Sequence, residues 1–118
     1  MLVRIDPSRP LPLHEQIDGG VRAAIARGEV ADGERLPAAR ELAAALDVNV
    51  HTVLRAYGSL RDDGLIELRR GRGAVVRAGE ARRRRLAVAE RARELVAFAR
   101  RQGVTDEEVV DLVKEAQC

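Results

Sequence analysis

The segment LPAARELAAALDVNVHTVLRAYGSLRDDGLIELRRGRGAVV, Leu36 to Val76, decides the fold. Pro37 suits the start of a helix, where a missing N–H does no harm. Leu42, Ala45 and Leu46 then give that short helix its inward face. DVN makes a tight turn, and Asn49 is an N-cap residue for the next helix. This second helix runs to a stop signal at Gly64, with Val53, Ala56, Tyr57 and Leu60 as its buried stripe. LIELRR reads as a strand, GRG as a hairpin tip and AVVR as the returning strand. Helix, turn, helix and hairpin in this order predict a winged helix-turn-helix.

Upstream, MLVRIDPSRPLP holds three prolines and predicts a short strand or extended arm around Leu2 to Ile5. LHEQIDGGVRAAIARG follows as a helix, with Leu13, Ile17, Val21, Ala24 and Ile25 at helical spacing and Gly28 as its stop. Gly19 and Gly20 inside it weaken the helix by roughly 1 kcal/mol each against Ala, which points to close packing there. EVADGERLP is a turn-rich connection. Downstream, EARRRRLAVAERARELVAFARRQG predicts one long helix ended by Gly103, with Val88, Ala92, Leu95, Val96 and Ala99 as an apolar stripe. VTDEEVVDLVKEAQC predicts a last helix. It opens on a capping box of Thr105 and Glu108 and carries Val109, Leu112, Val113 and Ala116 on one face. The fold class is therefore mostly α with a small β-hairpin. Residues 1–78 form the winged domain and residues 79–118 a two-helix tail.

The chain has 118 residues, 46% of them apolar but only 2% aromatic, so its core rests on Ala, Leu and Val. A core so thin often leans on a partner subunit. The net charge of +2 hides an uneven distribution: residues 80–102 carry +5 and residues 103–118 carry −4. Cys118 is the only cysteine and closes no intramolecular disulfide. With no long apolar run and no signal-peptide pattern, the expectation is a cytoplasmic protein that does not enter the membrane. His14 and His51 stand alone, and neither a metal motif, a phosphate loop nor a catalytic set is visible. No enzyme, cofactor or metal site is expected.

In a helix-turn-helix the second helix lies in the major groove of DNA and presents its first residues to base edges. That accounts for Val50, His51 and Thr52, an odd trio for the start of a buried helix. Asn49 and His51 offer hydrogen bonds, Val50 an apolar contact to a thymine methyl, Thr52 a bond to phosphate, and Arg55 either. Around the hairpin tip, Arg69, Arg70 and Arg72 suit a narrow minor groove and its phosphates, and the glycines let the backbone come close. A three-helix domain with a merely solvated helix start remains the bland alternative.

At these residues the sequence resembles the GntR family of bacterial transcription regulators. The resemblance covers Pro12 to Val76 and rests on Leu-Pro before a helix with Arg-Glu-Leu-Ala, on Thr-Val in the second helix, and on Gly-Arg-Gly at the wing. VNVHTVLRAY and the short tail look most like its YtrA-type subgroup, whose members are small dimeric repressors. The resemblance implies that Arg40 contacts DNA, that Thr52 contacts backbone phosphate, and that Gly71 with Arg70 and Arg72 approaches the minor groove. Three positions depart from the family: Ala38 stands where Ser is usual, Val50 where Arg or Pro is, and Leu54 where Arg or Gln is. They imply an operator preference of the chain's own.

The expected function is a homodimeric repressor of a palindromic operator. Val88, Ala92, Leu95, Val96, Ala99, Val109, Leu112 and Val113 would form the dimerisation surface. A winged-helix module that recruits a protein partner through its tail is the alternative. The tail is too small to enclose an effector pocket, so a small-molecule effector would need one formed between subunits.

Overall fold

The computed structural model describes residues 3–118. Leu2 lies outside them, and Val3 to Ile5 are extended without strand pairing. Val3 is buried and Ile5 packs on the core. The arm is held down by the buried Gln16, whose amide nitrogen donates to the carbonyls of Asp6 at 3.0 Å and Leu11 at 2.8 Å. Its side-chain oxygen accepts from the Asp6 N–H at 2.7 Å. A buried amide satisfied in this way fixes the path of the chain.

Helix α1 (Leu13–Ala26) buries Ile17, Val21, Ala24 and Ile25, as the spacing predicts. Its two glycines differ. A Cβ on Gly20 would stand 3.0 Å from Val3 Cγ1, so the arm occupies the place of the missing side chain. A Cβ on Gly19 would meet nothing within 4 Å, and nothing in the structure explains that glycine.

Helix α2 (Ala39–Leu46) starts later than the sequence suggests: Ala38 is its N-cap and Pro37 precedes it. It buries Leu42 and Ala43, with Leu46 partly buried, while Ala45 is exposed. The expected inward face is thus corrected from Ala45 to Ala43, its neighbour on the other side of the Leu42–Leu46 line. Asp47 closes the helix at φ +56°, and the Val48 N–H bonds back to the Ala43 carbonyl at 3.0 Å. Helix α3 (Val50–Asp62) follows, with the Asn49 side chain accepting from the His51 N–H at 2.8 Å. Val53, Ala56, Tyr57 and Leu60 are all buried, the stripe read from the sequence.

Three contacts orient α3. The Tyr57 hydroxyl donates to the Pro37 carbonyl at 2.7 Å, tying α3 to the entry of α2. Arg22 of α1 lies between Asp18 and Asp63, and Ser59 Oγ donates to Asp18 at 2.7 Å. Burial works against the Arg22 charge, but the hydrogen bonds to Asp18 and Asp63 outweigh it and hold the guanidinium above its ordinary value.

Burial, then the neighbouring Glu41 charge, pushes the Tyr57 pKa from 10.0 up to about 12. Ionisation in the unfolded chain comes first, so the phenol's contribution is complete below pH 10 and is lost as pH rises from about 10 to about 12. Tyr57 is the only tyrosine, so tyrosinate absorbance titrates it alone. We expect that titration to be centred at about 12 in the folded protein and to return to the ordinary value in urea. Tyr57→Phe is expected to lower stability by about 1 kcal/mol, measured by denaturant unfolding, because it removes the hydrogen bond to the half-buried Pro37 carbonyl.

Strands β1 (Ile66–Arg69) and β2 (Gly73–Val76) pair antiparallel, with Ile66 opposite Val76 and Arg69 opposite Gly73. The connection after α1 does more than turn. Arg35 forms an antiparallel bridge with Val75, and the N–H groups of Gly33 and Leu36 bond to the carbonyls of Val76 and Ala74 at 2.7 and 2.9 Å. The free edge of β2 is thereby covered.

Helix α4 (Glu80–Arg101) packs its first half on α1, where Leu86 reaches the core. Gly103 at φ +78° ends it, and helix α5 (Asp106–Ala116) folds back with Thr105 as N-cap. Ala99 and Val109 are buried, and Arg100 holds Asp106 at 2.8 Å. The rest of the expected tail stripe is not buried within one chain: Val88 is 70% exposed, Leu95 42%, Leu112 53% and Val113 40%. The radius of gyration, 16.1 Å, exceeds the ~13.5 Å of a compact domain this long, because the tail projects.

Candidate nucleic-acid interface

With its buried stripe fixed, α3 turns His51, Leu54 and Arg55 outward, and all three are exposed. Thr52 is half-buried beside them. Two expected roles change. Asn49 is exposed, but its oxygen is engaged in capping, so its amide N–H groups are what it offers outward. Val50, expected to face bases, packs partly against the core because it lies one turn before Val53 on the inward side. Leu54, 48% exposed, is the apolar side chain on the outer face. Only the departure from the family pattern pointed to it.

Arg40 stands exposed in the first turn of α2. At the wing, Arg70 and Arg72 are exposed on either side of Gly71, whose φ is +82°. Gly73 follows at +72°, and a Cβ on either glycine would meet nothing within 4 Å. Backbone sign, not crowding, requires glycine here, and the open space lets the tip approach another surface.

Some of the nearby arginines already have carboxylate partners. Arg61 on α3, Arg69 on β1 and Arg77 just past β2 lie 3.3, 3.3 and 2.9 Å from the carboxylates of Asp62, Glu67 and Glu67. Arg40, Arg55, Arg70 and Arg72 have no carboxylate within 4.0 Å among the described residues. An unpaired, exposed guanidinium is available to phosphate without first breaking an ion pair. His14, which the sequence left aside, borders a shallow groove with Leu13, His51, Thr52 and Arg55. The first turn of α1 therefore sits beside the recognition helix. Helices α1 and α2 both begin without a side-chain cap, which leaves first-turn N–H groups suited to an anion.

Among the described residues no group of His, Cys, Asp and Glu is placed to hold a metal ion, and no helix is long and apolar enough to cross a membrane. Within the basic run Arg82–Arg85, two arginines sit at helix ends: Arg82 donates to the Gly64 carbonyl and Arg83 lies against Gly28.

Comparison with known proteins agrees with this geometry. The family described as bacterial regulatory proteins, gntR family, matches residues 13–76. The HTH-type transcriptional repressor YtrA of Bacillus subtilis is 30% identical over 118 residues, 97% of this chain and 91% of that one. The structure of YtrA from Sulfolobus acidocaldarius, a GntR-family transcription factor, is 36% identical with a TM-score of 0.62, covering 78% of this chain and 97% of that one. The AraR DNA-binding domain in complex with operator ORX1 is 27% identical with a TM-score of 0.56, over 62% of this chain and 90% of that one. The chain therefore belongs to the GntR family of bacterial regulatory proteins, and it is a DNA-binding transcriptional regulator, not an enzyme.

Proposed function

We propose that the chain works in the cytoplasm as a homodimeric repressor of a palindromic operator. Each protomer lays α3 in a major groove and brings its wing to the neighbouring minor groove. Residues 1–78 bind DNA, and residues 79–118 join the two copies. Arg40, Thr52, Arg70 and Arg72 grip the backbone, with Gly71 allowing the close approach. Asn49, His51, Leu54 and Arg55 face the bases, and Val50 contributes what its half-buried side chain still exposes. The supporting observation is the outward face of α3 flanked by arginines that carry no carboxylate partner. The relative solved on its operator DNA has the same domain.

Tail residues Val88, Ala92, Leu95, Val96, Leu112 and Val113 serve dimerisation in this reading, joined by Phe98 and Val110, both 53% exposed; Ala99 and Val109, also expected there, are already buried within one chain and are left to hold the tail together. The concavity along α4 lined by Ala92, Val96 and Ala97, with Arg93 and Arg100 at its sides, is open in one chain and suits a partner helix. Any small-molecule effector would bind where the two subunits meet.

Selection of bound duplexes from a random pool tests the proposal. Enrichment of one palindrome, bound far more tightly than random DNA in a gel shift, is the expected result. Equal binding to both would overturn it, and a salt-insensitive protein that ignores duplex DNA would favour the protein-recruitment alternative. His51→Ala is expected to change base preference at one or two positions by about 1–3 kcal/mol, seen by repeating the selection.

A further inference from the structure

The first turn of α4 is bonded to the end of α3 and lies against the end of α1. Gly64, just past α3, has φ +74°, and its carbonyl accepts from Arg82 Nη1. Gly28, just past α1, has φ +75°, and Arg83 Nη1 lies 3.6 Å from where its Cβ would be. Consecutive arginines of α4 thus meet the glycines that terminate α1 and α3. Cations are favoured there, because unpaired carbonyls and the helix dipole concentrate negative charge at a C-terminus. Glu80 steadies Arg83 at 2.8 Å, and that guanidinium holds the Glu80 carboxyl below its usual range. The stretch between β2 and α4 adds stiffness: the Arg77 N–H bonds to the Leu65 carbonyl at 2.8 Å, and Ala78 is buried.

Small rotations at this point matter. Helix α3 has 13 residues and is therefore about 20 Å long. Tilting it by ~10° about its Gly64 end moves the recognition turn by roughly 3.5 Å, about the rise of one base pair.

We propose that Arg82, seconded by Arg83, is a positioning joint that sets the half-site spacing the dimer accepts. The proposal rests on the dimeric reading above. Neither arginine touches DNA; Arg82 holds the end of α3, and Arg83 lies against the end of α1, so that the two keep one angle to the helix that carries the dimer surface.

The test uses the selected operator and versions with its central spacer one base pair shorter and one or two longer. Affinities are read by fluorescence anisotropy for the full-length wild type, Arg82→Ala and Arg82→Lys. The wild type should prefer one spacing by about tenfold or more. Arg82→Ala should flatten that preference to about threefold or less, keeping its salt slope and its dimeric mass in light scattering. Arg82→Lys, which keeps a cation at the carbonyl, should recover part of it. A uniform loss at every spacing would mean that Arg82 only stabilises the fold, and an unchanged profile would mean that it does nothing here; either overturns the joint. A wild type that is monomeric in light scattering would overturn the dimer itself, a result distinct from both.

Discussion

Leu95→Asp combined with Phe98→Asp is expected to give a folded monomer that binds its operator at least about 100-fold more weakly. Both side chains are well exposed in one chain, 42% and 53%, so neither supports the protomer's own core. Placed in an interface, each Asp would bury a charge without a partner, a change that strongly destabilises association. Once one half-site is bound, a linked second domain binds with a high effective concentration, and losing that linkage forfeits about 10²–10⁴ in affinity. Light scattering and anisotropy on the same samples check the result. A variant that remains dimeric, or a monomer with wild-type affinity, would sink the role given to the tail.

The second large effect belongs to the wing. Arg70→Ala with Arg72→Ala removes four cationic contacts per dimer. The slope of log affinity against log salt should fall by about 3.6, at ~0.9 per phosphate, and affinity at physiological salt by about 100-fold. Preference among sequences should change little, because phosphates position a protein and bases specify the site. Both arginines are exposed and unpaired, and the turn glycines stay in place, so the melting temperature should hold. A variant whose base preference changed at a single position, with its salt slope intact, would show that the wing reads bases.

Local rules made much of the fold legible. The stripe of α3, its Asn49 cap, the glycine stops and the hairpin follow from period and turn chemistry. Helix α2 was harder, because its run of alanines carries no difference in hydrophobicity with which to choose Ala43 over Ala45. The pairing of Arg35 with Val75 was hidden inside a turn-rich stretch, since a bridge across forty positions depends on how the hairpin docks. The meeting of Arg82 with Gly64 and of Arg83 with Gly28 was hidden likewise. Four arginines in a row look alike until a fold gives two of them a destination. Among the candidate site residues, exposure agrees with the sequence reading at Arg40, His51, Arg55, Arg70 and Arg72, and departs from it at Val50. A residue one turn before a buried valine is drawn to the same side, which outweighs its place beside the cap.

The division of labour along the start of α3 bears on how such a regulator changes its target over generations. Asn49 is committed by its capping oxygen and Val50 by its packing, so drift at either position is penalised through folding. His51, Leu54 and Arg55 stand clear of the core and carry no such obligation. On the proposed docking of α3, duplicate copies of this gene would diverge toward new operators by substituting those three positions, with the scaffold inherited unchanged.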